Sequence, residues 1–119
     1  MQGWLQAQSA DDLAISDWVI TEISSALALK VRTGALQLDH RAAALSLFNR
    51  LLADTLTVHP VHAGHFRAAA RFADRQELGL RAGDALHLAV AAELGCTLAT
   101  LDRRLAAAGP QLGLPVEAL

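Results

Sequence analysis

The sequence has no tyrosine, one cysteine, one lysine and only 4% aromatic residues in 119. With so few rings, Trp4 and Trp18 read as packing residues rather than base-stacking platforms, and the core must be assembled from Leu, Val, Ile and Ala. The lone cysteine, Cys96, excludes an internal disulfide. Set beside Leu94 and Leu98, it reads as a small buried hydrophobe and not as a catalytic thiol. No apolar run reaches the roughly 20 residues needed to cross a bilayer. The stretch from Ala85 to Leu94 is interrupted by His87 and Glu93. Met1-Gln2-Gly3-Trp4 places no basic residue ahead of an apolar core, so it does not read as a secretory signal, and a cytoplasmic location is the default expectation. There is no basic tail or Lys/Arg block, and the net charge is −2. Nucleic-acid affinity driven by overall charge is therefore not indicated. A nuclease built on carboxylates stays open, because bound cations reverse the local sign of charge.

What the chain does have is apolar bulk: 53% of residues are hydrophobic, with Ala and Leu, both strong helix formers, in excess. Its length fits one compact domain over residues 1–119. Turn residues divide it into short alternating units. Trp4–Ala7 reads as the end of a helix and Ser9–Asp12 as a polar turn. Leu13–Ser16 is a short apolar strand. Trp18–Arg32 is a helix, with Ile23, Leu27 and Val31 on one face and Gly34 as its stop. Asp39 is the expected N-cap of a helix running to about Ala53. Leu56–His59 is a second strand, closed by Pro60. Helices are expected over about His62–Glu77 and over Gly83–Leu94, the latter capped by Gly95. Thr97–Thr100 is a third strand. Leu101–Ala107 is a short helix closed by Ala108-Gly109-Pro110, and Leu114–Val116 an edge strand, where proline is tolerated. Strands alternating with helices imply an α/β fold with a mainly parallel sheet covered on both faces, a three-layer α/β/α arrangement.

In such folds ligands bind beyond the carboxyl ends of the strands, which directs attention to helix starts. Glu22, Asp84 and Asp102 all occupy that kind of position. Clustered carboxylates repel unless cations lie between them, and magnesium or manganese held by oxygen ligands can activate water for attack on a phosphodiester. Acidic residues are also favoured in the first turn of any helix by its dipole, so a cap or first-turn acid is the alternative reading of Asp84 and Asp102, and a solvated helix face that of Glu22.

The local motifs carry more than the spacing does. Ile20-Thr21-Glu22-Ile23-Ser24-Ser25-Ala26-Leu27, then Leu80-Arg81-Ala82-Gly83-Asp84-Ala85-Leu86-His87-Leu88-Ala89, then Leu98-Ala99-Thr100-Leu101-Asp102-Arg103-Arg104-Leu105 resemble, in order and separation, the second, third and fourth motifs of PIN-domain toxins of the VapBC type. The resemblance spans nearly the whole chain. It implies a small α/β domain acting as a metal-dependent endoribonuclease, the toxin of a toxin–antitoxin pair. Also implied are a Mg2+ or Mn2+ cofactor, an RNA substrate, a cognate antitoxin partner and a homodimer. By position Glu22, Asp84 and Asp102 would be the catalytic metal ligands. Thr100 would be an orienting hydroxyl; Arg81 and Arg103 are candidate accessory residues because they flank the acidic positions. The family opens with a strand ending in an Asp, and this chain begins near the end of the helix that would follow. The central N-terminal strand is therefore expected to be missing, with no good substitute in Asp11, Asp12 or Asp17. The alternative this raises is a catalytically inactive, truncated domain that acts by binding an antitoxin or a second copy through its apolar helices.

Other residues are less telling. His59, His62 and His65 are spaced by three, but Pro60 breaks the run and no acidic residue stands near in sequence, so surface histidines are expected. Arg81, Arg103 and Arg104 flank the acidic positions and suit either RNA phosphates or exposed salt bridges. The alanine-rich helix carrying Phe66 and Phe72 reads as core or as a dimer or antitoxin surface.

Overall fold

The computed structural model describes residues 2–9 and 12–119. Ala10 and Asp11, in the middle of the expected polar turn, and Met1 lie outside the described residues. The chain divides into two compact units, Gln2–Pro60 and Val61–Leu119.

The first unit holds α1 (Gln2–Ala7), β1 (Ala14–Ser16), α2 (Asp17–Arg32), α3 (Leu38–Asp54) and β2 (Thr57–His59). β1 and β2 pair in parallel, with Ile15 opposite Val58, and the α2–α3 hairpin makes the crossover that parallel pairing requires. Helix α2 begins directly where β1 ends, with Ser16 extended as its N-cap residue. Gly34, at φ +78°, turns the chain out of α2. The expected cap of α3 is corrected: the N-cap residue is Gln37, and Asp39 falls inside the first turn. There it still suits the helix dipole. Neither α2 nor α3 buries any residue fully, and Leu29, Leu38, Leu47 and Leu51 are exposed.

The second unit holds α4 (Ala63–Ala73), a single 3-10 turn at Gln76–Leu78, α5 (Ala82–Leu94), β3 (Leu98–Thr100), α6 (Arg103–Gln111) and β4 (Val116–Ala118). Its core is α5, which buries Ala85, Leu86, Leu88, Ala89 and Val90. These residues cover more than half the helix circumference, the pattern of a central helix and not a surface one. Helix α4 packs along α5. It ends at Ala73, short of the expected Glu77, because the chain turns to bury Leu78. β3 and β4 pair in parallel, Ala99 opposite Glu117, with α6 as the crossover.

Helix α6 runs through the residues expected to close it, with Pro110 in its last turn. Proline lacks the amide that would continue the ladder, and the helix ends one residue later. β4 accordingly starts at Val116 and not Leu114. Gly109 explains the close packing of α6 on β4. A Cβ there would meet the Val116 side chain and lie 3.3 Å from the Leu114 carbonyl oxygen. Gly109→Ala is expected to destabilise the protein by about 1–3 kcal/mol through overpacking. Urea unfolding followed by circular dichroism reads this directly, and an unchanged midpoint would show that β4 yields freely.

The fold is thus α/β with six helices and parallel strands among the described residues. The expected mainly parallel sheet is present as two separate parallel pairs, β1–β2 and β3–β4. No helix among the described residues is long and apolar enough to cross a membrane.

Two side chains fall on the other side of the surface from their expected places. Cys96 is exposed, because it sits in the turn between the Gly95 cap of α5 and β3. His65 is buried at 3% exposure. Its Nδ1 accepts the His62 amide across the first turn of α4 at 2.9 Å. Its Nε2 lies 2.6 Å from Glu93 Oε2 on α5, though the pair is not aligned as a hydrogen bond. The carboxylate absent from the local sequence is supplied from 28 positions further along the chain.

Candidate functional site

The acidic residues of the second unit stand at two helix starts. Asp84 is the third residue of α5. Its Oδ2 accepts the Arg81 amide at 3.2 Å, satisfying one of the donors that a helix N-terminus leaves open. Asp102 is the N-cap of α6. Its Oδ1 accepts the amides of Arg104 at 2.9 Å and Leu105 at 3.1 Å. Its own amide donates to Thr100 Oγ1 at 3.0 Å, so the threonine ending β3 holds the turn that presents Asp102. Each carboxylate therefore performs a capping task with one oxygen, and the other oxygen takes no part in those bonds.

The capping and charge roles separate by substitution. Asp102→Ala removes the cap and is expected to cost about 1 kcal/mol, whereas Asp102→Asn keeps an accepting oxygen and stays close to the parent. Thermal melts of both variants check this; equal losses would mean that the negative charge, and not the cap, stabilises α6.

Glu22 belongs to the first unit, on α2 and partly buried. At the start of the same helix Ser16 is buried, and its Oγ has no hydrogen-bond partner among the described residues, as is also true of Trp18 Nε1. Nothing in the local sequence pattern marks Ser16.

Among the described residues, no group of three or more His, Cys, Asp or Glu side chains is placed to hold a metal ion. The carboxylate oxygens are of the type that hard divalent cations prefer, but the described geometry does not present a ready set of donors.

The arginines differ from one another. Arg75 is engaged on both sides: its Nε donates to Glu77 at 2.9 Å and its Nη1 to the Gln111 carbonyl at 3.1 Å, tying the 3-10 turn to the end of α6. A backbone hydrogen bond, and after it the pairing with Arg75, holds the Glu77 carboxyl below its ordinary value. Arg81, Arg103 and Arg104 are exposed. Arg104 packs on another segment of the chain. Its Cδ and Nε lie 3.4 and 3.8 Å from the position a Cβ on Gly79 would take. Gly79 is two residues before Arg81, whose amide holds Asp84. A chain of contacts thus runs from Asp102 through Arg104 to the loop that delivers Asp84, and the sequence motif contained no sign of it.

The sequence matches the PIN domain family over residues 2–109, and the chain belongs to that family. PIN domains are generally nucleases and generally use divalent metals. The fold is similar to the crystal structure of FitAcB from Neisseria gonorrhoeae, with a TM-score of 0.72 and 18% identity, covering 97% of this chain and 81% of that one. At that identity the likeness concerns the fold alone. No protein of curated function matches the sequence.

Proposed function

We propose that this chain is a metal-dependent endoribonuclease of the toxin type, in which Glu22, Asp84 and Asp102 are the catalytic carboxylates. The observation that carries this reading is the ordered set of three acidic motifs within the PIN match. Two of those acids stand at helix starts, each with one oxygen outside its capping bonds. Thr100 serves by fixing the Asp102 turn, and Arg81 and Arg103 are accessory residues at the two helix starts. The donor type suits Mg2+ or Mn2+, which supplies an activated water when bound. RNA is the substrate, and an antitoxin protein is the partner that restrains it. The test is cleavage of a fluorescent single-stranded RNA in magnesium or manganese, beside the same reaction in EDTA. Metal-dependent cleavage supports the reading, and its absence across both ions removes it for this chain.

A second reading has its own observation. The α2–α3 hairpin buries no residue fully and leaves Leu29, Leu38, Leu47 and Leu51 exposed. That favours a domain acting through an apolar contact with an antitoxin or a second copy, without turnover. Light scattering over a concentration series tests the second-copy form. A monomer throughout, with RNA cleavage intact, would set this reading aside.

A further inference from the structure

Two features of Arg104 bear on what it can bind. First, its stem is supported. Gly79 ends the 3-10 turn in the left-handed region at φ +65° and presents a bare backbone face. The Arg104 Cδ lies across that face at ordinary van der Waals distance from where a Cβ would be. A long side chain held along its stem loses less freedom when its head group binds something. Second, its donors are uncommitted. Among the described residues the Arg104 guanidinium makes no hydrogen bond or ion pair, although its own amide is bonded to the Asp102 carboxylate. Nearby Arg75 shows the contrasting case, with its guanidinium occupied by Glu77 and by the end of α6.

The position of the residue completes the argument. Arg104 is the second residue of α6 and lies over the loop that leads through Arg81 to Asp84. It therefore touches the segments that present both carboxylates of this unit while neutralising neither by an ion pair. A planar fork of donors in that place suits the paired oxygens of a phosphate group.

We infer that Arg104 binds a backbone phosphate of the RNA strand, with its guanidinium aimed by the packing of its stem on Gly79. This rests on the ribonuclease reading and assigns a substrate contact within it.

The test is fluorescence anisotropy of a labelled single-stranded RNA titrated with the full chain. Asp84→Asn is carried as background to suppress cleavage, and salt is varied. Arg104→Met keeps a stem of similar length on Gly79 and removes only the donors. It is expected to weaken binding about tenfold and to lower the salt dependence by roughly one phosphate contact. Arg104→Lys, which retains charge without the fork, is expected to fall between the two. Arg67→Met, a matched charge loss at an exposed position on α4, is expected to bind within twofold of the background. Unchanged binding by Arg104→Met would overturn the assignment, as would an equal loss in Arg67→Met. If the background chain binds no RNA while retaining its fold by circular dichroism, the ribonuclease reading fails first and this assignment fails with it.

Discussion

Asp84→Asn is expected to lower RNA cleavage by on the order of 100-fold or more while leaving the protein folded. The size follows from the proposed role. Loss of a partner that merely orients a metal ligand already costs roughly 10–100-fold, and a carboxylate acting directly at the site should cost more. The structure makes the substitution a clean one. The Asp84 carboxylate accepts the Arg81 amide, and the Asn side-chain oxygen accepts the same bond, so the first turn of α5 keeps its satisfied donor. Only the negative charge is lost. Cleavage rates measured beside thermal melts separate the outcomes. Activity lost with the melting temperature held supports a catalytic carboxylate. Activity unchanged would reduce Asp84 to a capping residue and remove it from the site. Activity and stability lost together would point to a structural need for the charge itself.

The largest effect on stability is expected at Leu88. It is fully buried at 0% exposure, on the helix that forms the core of the second unit, one turn beyond Asp84 on the same side. Leu88→Ala removes three carbons from a close-packed interior and leaves a cavity, which costs about 2–5 kcal/mol. For a chain of this size that corresponds to a fall in melting temperature on the order of 10 °C. Differential scanning calorimetry of Leu88→Ala against the parent measures it. A fall of only one or two degrees would show that α4 and β3 collapse onto the space, and that α5 is less tightly held than its burial indicates.

These two expectations meet in α5, the element whose bounds the sequence predicts most closely. Its run from Gly83 to Leu94 with Gly95 behind it is observed as Ala82–Leu94, and Gly95 adopts the left-handed cap at φ +66°. Helix α2 was equally plain, because the spacing of Ile23, Leu27 and Val31 and the stop at Gly34 are local signals. The acidic positions were legible for the same reason. Asp84 and Asp102 sit at helix starts, where a few neighbouring residues define the geometry.

The departures from local pattern share a different cause. Pro110 predicts an end to α6 because proline usually terminates a helix. The helix instead continues to Gln111, with Gly109 packed against Val116 from the following strand. The sequence predicts His65 at the surface because nothing acidic lies near it along the chain. Glu93 reaches it from the neighbouring helix. The apolar neighbours of Cys96 predict an interior place, yet the turn after Gly95 leaves it exposed.

The sequence by itself determined the alternation of helix and strand, the places where glycine ends a helix, and the acidic residues that open two of them. Hydrophobic period, capping and turn preference act over a few residues and can be read in order. The tertiary structure alone decided which side chains are covered and which are left to act. His65 meets Glu93, Gly109 meets Val116, and Arg104 lies across Gly79. Burial and the direction of a long side chain are set by contacts between segments distant in the chain, and no local pattern encodes them.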